Sequence, residues 1–329
     1  MDVQILNNLK KYLMKILKTF LIKLKAYDLV VISFYFFLMF INIFYQSDIE
    51  LWLLWTFLDL AIILFTLLNA FFENKYNNKF WRATHYWYIA PLILFTFKEL
   101  YYLIAPIRQQ DFDWLFIEID RWMFGFDPAK FLLHYSFPLL TELLQIVYSM
   151  FYFLPIILGI ALLKKGRYGA LDFSVFSIIY GFYLSYLGYF TLPAIGPRFT
   201  LHDFSLLNQQ LPGVYLTPYL RKLIDIGESI PKGTLDPAAV VQRDAFPSGH
   251  TMITLIIMYL SIKLKSRTRF FFIPVGTLLI FATVYLWYHY VIDLIGGLIF
   301  MIFSMWSGKH IFNWWKRIQG EEEFDYGKS

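Results

Sequence analysis

From Phe270 to Ser307 the chain reads FFFIPVGTLLIFATVYLWYHYVIDLIGGLIFMIFSMWS, an apolar run with Asp293 as its one Asp, Glu, Lys or Arg. As a single helix it would be about 55 Å long at 1.5 Å per residue. The hydrocarbon core of a bilayer is only roughly 30 Å thick. The run is therefore expected to cross a membrane twice, with a reversal near 283–288. No Gly or Pro stands in that interval to mark the turn.

The rest of the chain repeats the pattern. Of its 329 residues, 58% are hydrophobic and only 16% are charged, whereas soluble domains carry about a quarter charged residues. The surplus apolar surface must face lipid. Intervals 28–46, 51–72, 86–105, 138–163, 170–193, 248–264, 270–286 and 288–307 each approach the length of a spanning helix. The expected fold is an all-α, polytopic membrane bundle of about eight transmembrane helices. The chain has no cysteine, which excludes disulfides, Cys-ligated zinc, iron–sulfur clusters and thiol nucleophiles. The net charge of +5 reports topology rather than a nucleic-acid partner.

If the N-terminus is cytoplasmic, 20 of the 29 Lys and Arg residues fall on the inner side, as the positive-inside rule requires. Both termini then lie in the cytoplasm. Residues 1–25 thread Lys10, Lys11, Lys15, Lys18, Lys23 and Lys25 through apolar positions; this is either an amphipathic helix on an anionic surface or a solvated basic lead-in. Residues 26–85 carry two helices, 86–307 a six-helix unit, and 308–329 a tail whose Glu321-Glu322-Glu323 reads as a solvated end. Two outer loops, 106–137 and 194–249, exceed a mere connection. The first, with Trp114 and Trp122, is expected to hold an interfacial helix.

The second long loop ends in Asp244-Ala245-Phe246-Pro247-Ser248-Gly249-His250 at a helix start. A helix N-terminus offers free N–H groups and the positive dipole end to an anion. Gly249 allows close approach, Ser248 can donate a hydroxyl, and His250 can shuttle a proton. The bland reading is a capped helix start with an interfacial histidine. In His289-Tyr290-Val291-Ile292-Asp293 the first and last residues share a helical face, so Asp293 can orient a reactive His289. The alternative is a structural His–Asp pair. Gly196-Pro197-Arg198 supplies a guanidinium suited to phosphate, or simply a snorkelling arginine. Under the expected topology Arg198, His250 and His289 sit at one membrane depth.

Arg198, the Pro247-Ser248-Gly249-His250 quartet and the His289-to-Asp293 motif, in this order, resemble the type 2 phosphatidic acid phosphatase superfamily. Gly-Pro-Arg-Phe and His-Tyr-Val-Ile-Asp-Leu-Ile-Gly-Gly look closer to its lipid phosphotransferase branch, which includes inositol phosphorylceramide and sphingomyelin synthases. The resemblance spans roughly 86–307 and makes that unit the catalytic core. It implies that His289 attacks phosphorus to give a phosphohistidine, with Asp293 orienting it. It implies that His250 protonates the leaving oxygen, and that Arg198, Ser248 and the Gly249 amide hold the phosphoryl oxygens. No metal and no cofactor are implied.

Two departures bear on the substrate. Phosphatases of the superfamily carry a Lys seven residues before the first-motif Arg, where Thr191 stands, and Ser-Arg before the nucleophile, where Ala282-Thr283 stand. Fewer cations favour a phosphodiester monoanion over a phosphomonoester dianion. Lys98, beside Glu99, and Arg243, beside Asp244, are possible substitutes unless those carboxylates neutralise them. The expected function is transfer of a phosphate-containing headgroup from a lipid to an alcohol acceptor at the extracytoplasmic face. Hydrolysis of a lipid phosphate is the alternative. A reading from another class, a lipid transporter or binding protein, would need polar residues at the bilayer midplane; Asp59, Glu142 and Asp172 are its candidates.

Overall fold

A computed structural model describes residues 21–327. The expectation for the basic leader therefore lies outside the described residues, except for its last five. Among the described residues every regular element is helical. The first half holds α1 (Ala26–Phe44), α2 (Trp52–Tyr76), α3 (Lys79–Trp87), α4 (Ile89–Ile107), α5 (Asp113–Phe124), α6 (Pro128–Leu133), α7 (Pro138–Ser149) and α8 (Phe153–Lys164). The second holds α9 (Tyr168–Thr191), α10 (Pro197–Thr200), α11 (Leu207–Gln210), α12 (Thr217–Gly227), α13 (Pro237–Val240), α14 (Gly249–Lys263), α15 (Arg269–Tyr285) and α16 (Val291–Gln319).

Among the described residues, five stretches are long and apolar enough to cross a membrane: α1, α2, the continuous Lys79–Ile107 stretch, α9 and α16. The α7–α8 pair, bent by 55°, makes six if taken as one span. Each of the eight expected intervals coincides with apolar helix, but α14 and α15 have only 15 and 17 residues. Their ends are clipped, α14 by its cap at Ser248 and α15 by the chain reversal. The 138–163 interval breaks because Pro155 has no N–H to give and its ring crowds the carbonyl of Phe151, four residues back. Conversely, α16 runs past the apolar window to Gln319, since a helix does not end where hydropathy does.

The central helix is α9, which packs against α1, α4, α8, α14 and α16. Its inner face buries Phe173, Phe176, Ile179, Tyr183 and Tyr186 in the main apolar core. The pair α1 and α2 lies on this unit through α1, against α9 and α16, and through Trp55 of α2, whose ring lies 5.0 Å from that of Tyr102 on α4. Both described chain ends meet at one end of the bundle: Trp315 donates to the Leu24 carbonyl at 2.7 Å, and Gln319 to those of Ile22 and Leu24. Lys25 pairs there with Asp172 at 3.2 Å. Beyond α16 the three glutamates are exposed, and the tail packs on the bundle just after them. Glu321 and Glu323 pair with Lys316 and Arg317, while Phe324 stacks on Phe173 at 4.3 Å.

The reversal falls between Tyr285 and Val291, as the length argument requires. The device that makes it was not visible in the sequence. Trp287 adopts the left-handed conformation at φ 67°, and the amides of Tyr288 and His289 both donate to the Thr283 carbonyl at 2.9 and 3.0 Å. The left-handed residue costs roughly 1–2 kcal/mol, offset by full burial of the indole. Its ring lies flat on His202, 3.5 Å between centroids and 2° between planes.

Candidate active site

The site forms at the bundle end opposite the chain termini, where α14 and α16 begin. Ser248 caps α14 by accepting from the Thr251 amide at 3.2 Å, which leaves its hydroxyl proton free to donate. The Ser248 amide donates to the Asp293 carbonyl at 3.0 Å, tying the two helix starts together. A Cβ at Gly249 would lie 2.6 Å from the Tyr189 hydroxyl, so glycine is what fits there. His250 projects from the first turn between Tyr148 and Phe151, with ring centroids at 4.6 and 4.2 Å. The Pro155 break is thus what sets Phe151 against His250.

His289 stands on the reversal loop and is 3% exposed. Its Nδ1 faces the Ala245 carbonyl at 2.9 Å and an Asp293 carboxylate oxygen at 3.3 Å. Both are acceptors, so Nδ1 carries the proton and Nε2 keeps its lone pair. That Nε2 lies 3.5 Å from Nδ1 of His250. Asp293 also caps α16, because the same oxygen accepts from the Tyr290 amide at 2.8 Å.

Arg198 is 1% exposed, held by α10 at the start of the long loop. Its guanidinium donates to Asp225 at 3.2 Å and to Glu228, and lies 4.8 Å from the centre of the Tyr288 ring. Tyr288 stacks on Tyr148 at 4.2 Å, which in turn stacks on His250. Arg198 therefore reaches the histidines through two tyrosines. Burial pushes the Glu228 carboxyl up and Arg198 pulls it back. The same holds for Asp225. Asp244 is pushed well up by burial and then by Glu228.

The expected auxiliary cations are placed differently. Lys98 donates to the Ile226 carbonyl at 2.9 Å and the Ser229 hydroxyl at 2.8 Å, beside Arg198's partners and away from Glu99. Arg243 turns to Asp111 at 3.1 Å. Thr191 and Thr283, at positions where the resemblance would place cations, spend their hydroxyls on the Gly188 and Ile280 carbonyls at 2.7 Å each. Among the described residues no group of three His, Cys, Asp or Glu side chains could hold a metal.

Several residues that build the site were not singled out from sequence. Helix α5, in the first long loop, is tied to the site: Asp113 accepts from the Ile195 and Gly196 amides at 3.0 and 2.8 Å and from the Tyr290 hydroxyl at 2.8 Å. Asp120 accepts from the Val291 and Ile292 amides at 2.8 and 2.9 Å. Glu142, a transporter candidate, instead anchors the long loop through the amides of Val214 and Thr217 at 3.0 and 3.1 Å. Asp172 serves Lys25 at the far end, so Asp59, Glu142 and Asp172 do not meet. The acidic anchors carried a signal, carboxylates in outer loops beside aromatic residues, but the partners of a carboxylate that caps a distant backbone cannot be read from spacing.

Two histidine rings in contact, one with its Nδ1 proton pinned and its Nε2 bare, beside a capped helix start and a buried arginine, can support nucleophilic attack and proton transfer. No curated protein and no solved structure matches the chain. Residues 114–307, from within α5 through most of α16, match the PAP2 superfamily, and the chain belongs to that superfamily.

Proposed function

We propose that the protein is a membrane-embedded lipid phosphotransferase that works through a phosphohistidine on His289. The observation that carries the reading is the pair of acceptors at His289 Nδ1, which leaves Nε2 as the one lone pair aimed at His250. In the first step, with His250 in its imidazolium form, Nε2 bonds to phosphorus as the ester oxygen leaves with the proton from His250. In the second, an acceptor hydroxyl attacks phosphorus and gives its proton back to His250, freeing Nε2. At 3.5 Å the two nitrogens are too close for a phosphorus atom between them, so substrate binding must turn the His250 ring aside. Arg198, the Ser248 hydroxyl and the Gly249 amide would hold the equatorial oxygens, where phosphoryl transfer needs its charge stabilised.

The charge of the site supports a diester. Its arginine is already tied to two carboxylates, and the two further positions hold threonines. A headgroup diester brings one negative charge, a monoester two. This favours the headgroup-transferring branch suggested by Gly196-Pro197-Arg198-Phe199 and the His289 motif, with 86–307 as the catalytic core. The Lys and Arg distribution, together with Ile22 and Leu24 meeting the end of α16 opposite the site, supports an active site on the extracytoplasmic side with cytoplasmic termini. Phosphate ester hydrolysis by the same two histidines is the second reading, reached if water replaces the acceptor.

The test is purified protein with labelled lipid phosphomonoesters and phosphodiesters, with and without alcohol acceptors, and His289→Ala beside it. Movement of a headgroup to the acceptor supports the proposal. Free phosphate from monoesters alone makes the protein a phosphatase. Activity that survives in His289→Ala refutes both.

A further inference from the structure

We propose that Asn42, Asp59 and Glu99 form a binding site for a small monovalent cation, a proton or a sodium ion, inside the bundle and outside the family-matched segment. The site is independent of the phosphotransferase reading. Its three side chains come from α1, α2 and α4, and each is 0% exposed.

The Asn42 amide donates to one Asp59 oxygen at 2.9 Å, and Glu99 is an electrostatic neighbour of both side chains. The other Asp59 oxygen, both Glu99 oxygens and the Asn42 carbonyl oxygen have no partner. Three neighbouring side chains thus hold four buried acceptor atoms that have no hydrogen-bond partner. The amide carbonyl, fixed by its own N–H contact with Asp59, is the independent sign that something electropositive belongs there.

Electrostatics demands the same. Two bare carboxylates this close cannot both stay ionised without a countercharge, and an uncompensated buried charge costs several kcal/mol. Neither acid forms an ion pair among the described residues. The side chains near them are hydroxyls: Tyr35 of α1, bonded to Thr96 of α4 at 2.7 Å, and Tyr183 of α9, whose hydroxyl has no hydrogen-bond partner. Lys98, next to Glu99 in sequence, is spent on Ser229. At least one positive charge must therefore enter from outside. Two carboxylates and one amide fall short of the six to eight oxygens of a calcium site, and no trio of acidic or imidazole groups gathers here. A proton or a sodium ion fits the small, oxygen-lined space. Ionisable groups at membrane depth are functional by default, and these lie partly on the two helices that precede the matched segment.

The experiment is thermal unfolding of the full-length protein in lipid nanodiscs, wild type against Glu99→Gln and Asp59→Asn. The glutamine amide supplies the missing donor, so Glu99→Gln is expected to fold. In one arm sodium replaces a bulky organic cation at fixed ionic strength and pH. In the other, sodium-free buffer is taken from pH 9 to pH 6. If sodium is the ligand, the wild-type Tm rises by about 3 °C for each tenfold increase above the dissociation constant, and Glu99→Gln does not respond. If the proton is the ligand, the wild type gains in the second arm and the variant stays flat. Identical responses of wild type and both variants in both arms overturn the proposal. Should neither variant fold, the infrared carboxyl band of the wild type decides: no change with pH or sodium overturns it.

Discussion

Asp293 lies 3.3 Å from Nδ1 of His289, yet the same oxygen is closer to the Tyr290 amide, at 2.8 Å. The carboxylate is a helix cap that also faces the imidazole, and the Ala245 carbonyl, at 2.9 Å, holds the Nδ1 proton more tightly. Orientation of the ring is therefore shared between a side chain and a backbone group that no substitution removes.

Asp293→Asn keeps an oxygen for the Tyr290 amide, and Ala245 keeps the tautomer. The variant should fold and lose activity by about 10–100-fold, less than the ~10⁴-fold seen when a sole carboxylate orienter is removed. Asp293→Ala also uncaps α16 and should cost roughly 1 kcal/mol more in stability. Steady-state rates with unfolding curves for both variants separate the two roles. Wild-type activity in both variants would show that orientation by this side chain does not matter.

Arg198 is charged and buried against Asp225 and Glu228. Neutralising both partners, as Asp225→Asn with Glu228→Gln, frees the guanidinium for substrate. KM for a phosphomonoester should fall more than KM for a diester, and the selectivity ratio should move by about tenfold, the equivalent of 1.4 kcal/mol. Arg198→Ala should instead leave two half-buried acids unpaired and cost at most about 3–5 kcal/mol in stability. An unchanged selectivity ratio in the double variant would remove the charge argument for a diester.

Gly196 sits at φ 90°, and a Cβ there would lie 2.6 Å from the Tyr288 carbonyl oxygen. Both the conformation and the contact exclude a side chain. Gly196→Ala should destabilise by about 2 kcal/mol or more and shift Arg198. Gly125→Ala, at φ 77° with open space around it, isolates the backbone term and should cost about 1 kcal/mol. Denaturant or thermal unfolding of the pair reads the difference directly.

His202 stacks on Trp287, and burial, with the Lys130 charge adding to it, pushes its ring down to about 4. An unfolded histidine titrates near 6.5. Between these values the unfolded chain binds the extra proton, so stability falls as pH drops from about 6.5 to 4. The loss should be on the order of 1–2 kcal/mol and should vanish in His202→Phe, which preserves the stack. A wild-type and variant pair with parallel pH profiles would contradict this.

The apolar helices and the residues that meet at the candidate site were legible because hydropathy and short motifs are local properties. The reversal at Trp287 was placed by length alone, since nothing in Leu286-Trp287-Tyr288 announces a left-handed residue. What it takes to hold it, the stack with His202 and the amides onto Thr283, is tertiary. The break before Phe153 could have been read from Pro155, whose effect on the preceding turn is a local rule. Asp225 and Glu228 could not be matched to Arg198 from sequence, because a loop of that length leaves pairing open. The Asp59–Glu99 pair was hidden for the same reason: each acid looks isolated on its own helix, and Glu99 looked like a partner for Lys98.

The central claim is the covalent one, that phosphorus is carried on His289 Nε2. Rapid mixing of the protein with a lipid diester labelled at phosphorus, followed by an alkaline quench, measures it directly. The account predicts a labelled protein that is stable in alkali and lost in acid, mapping to His289 and absent from His289→Ala. An active wild-type enzyme that never acquires label, or a His289→Ala variant that does, would contradict it.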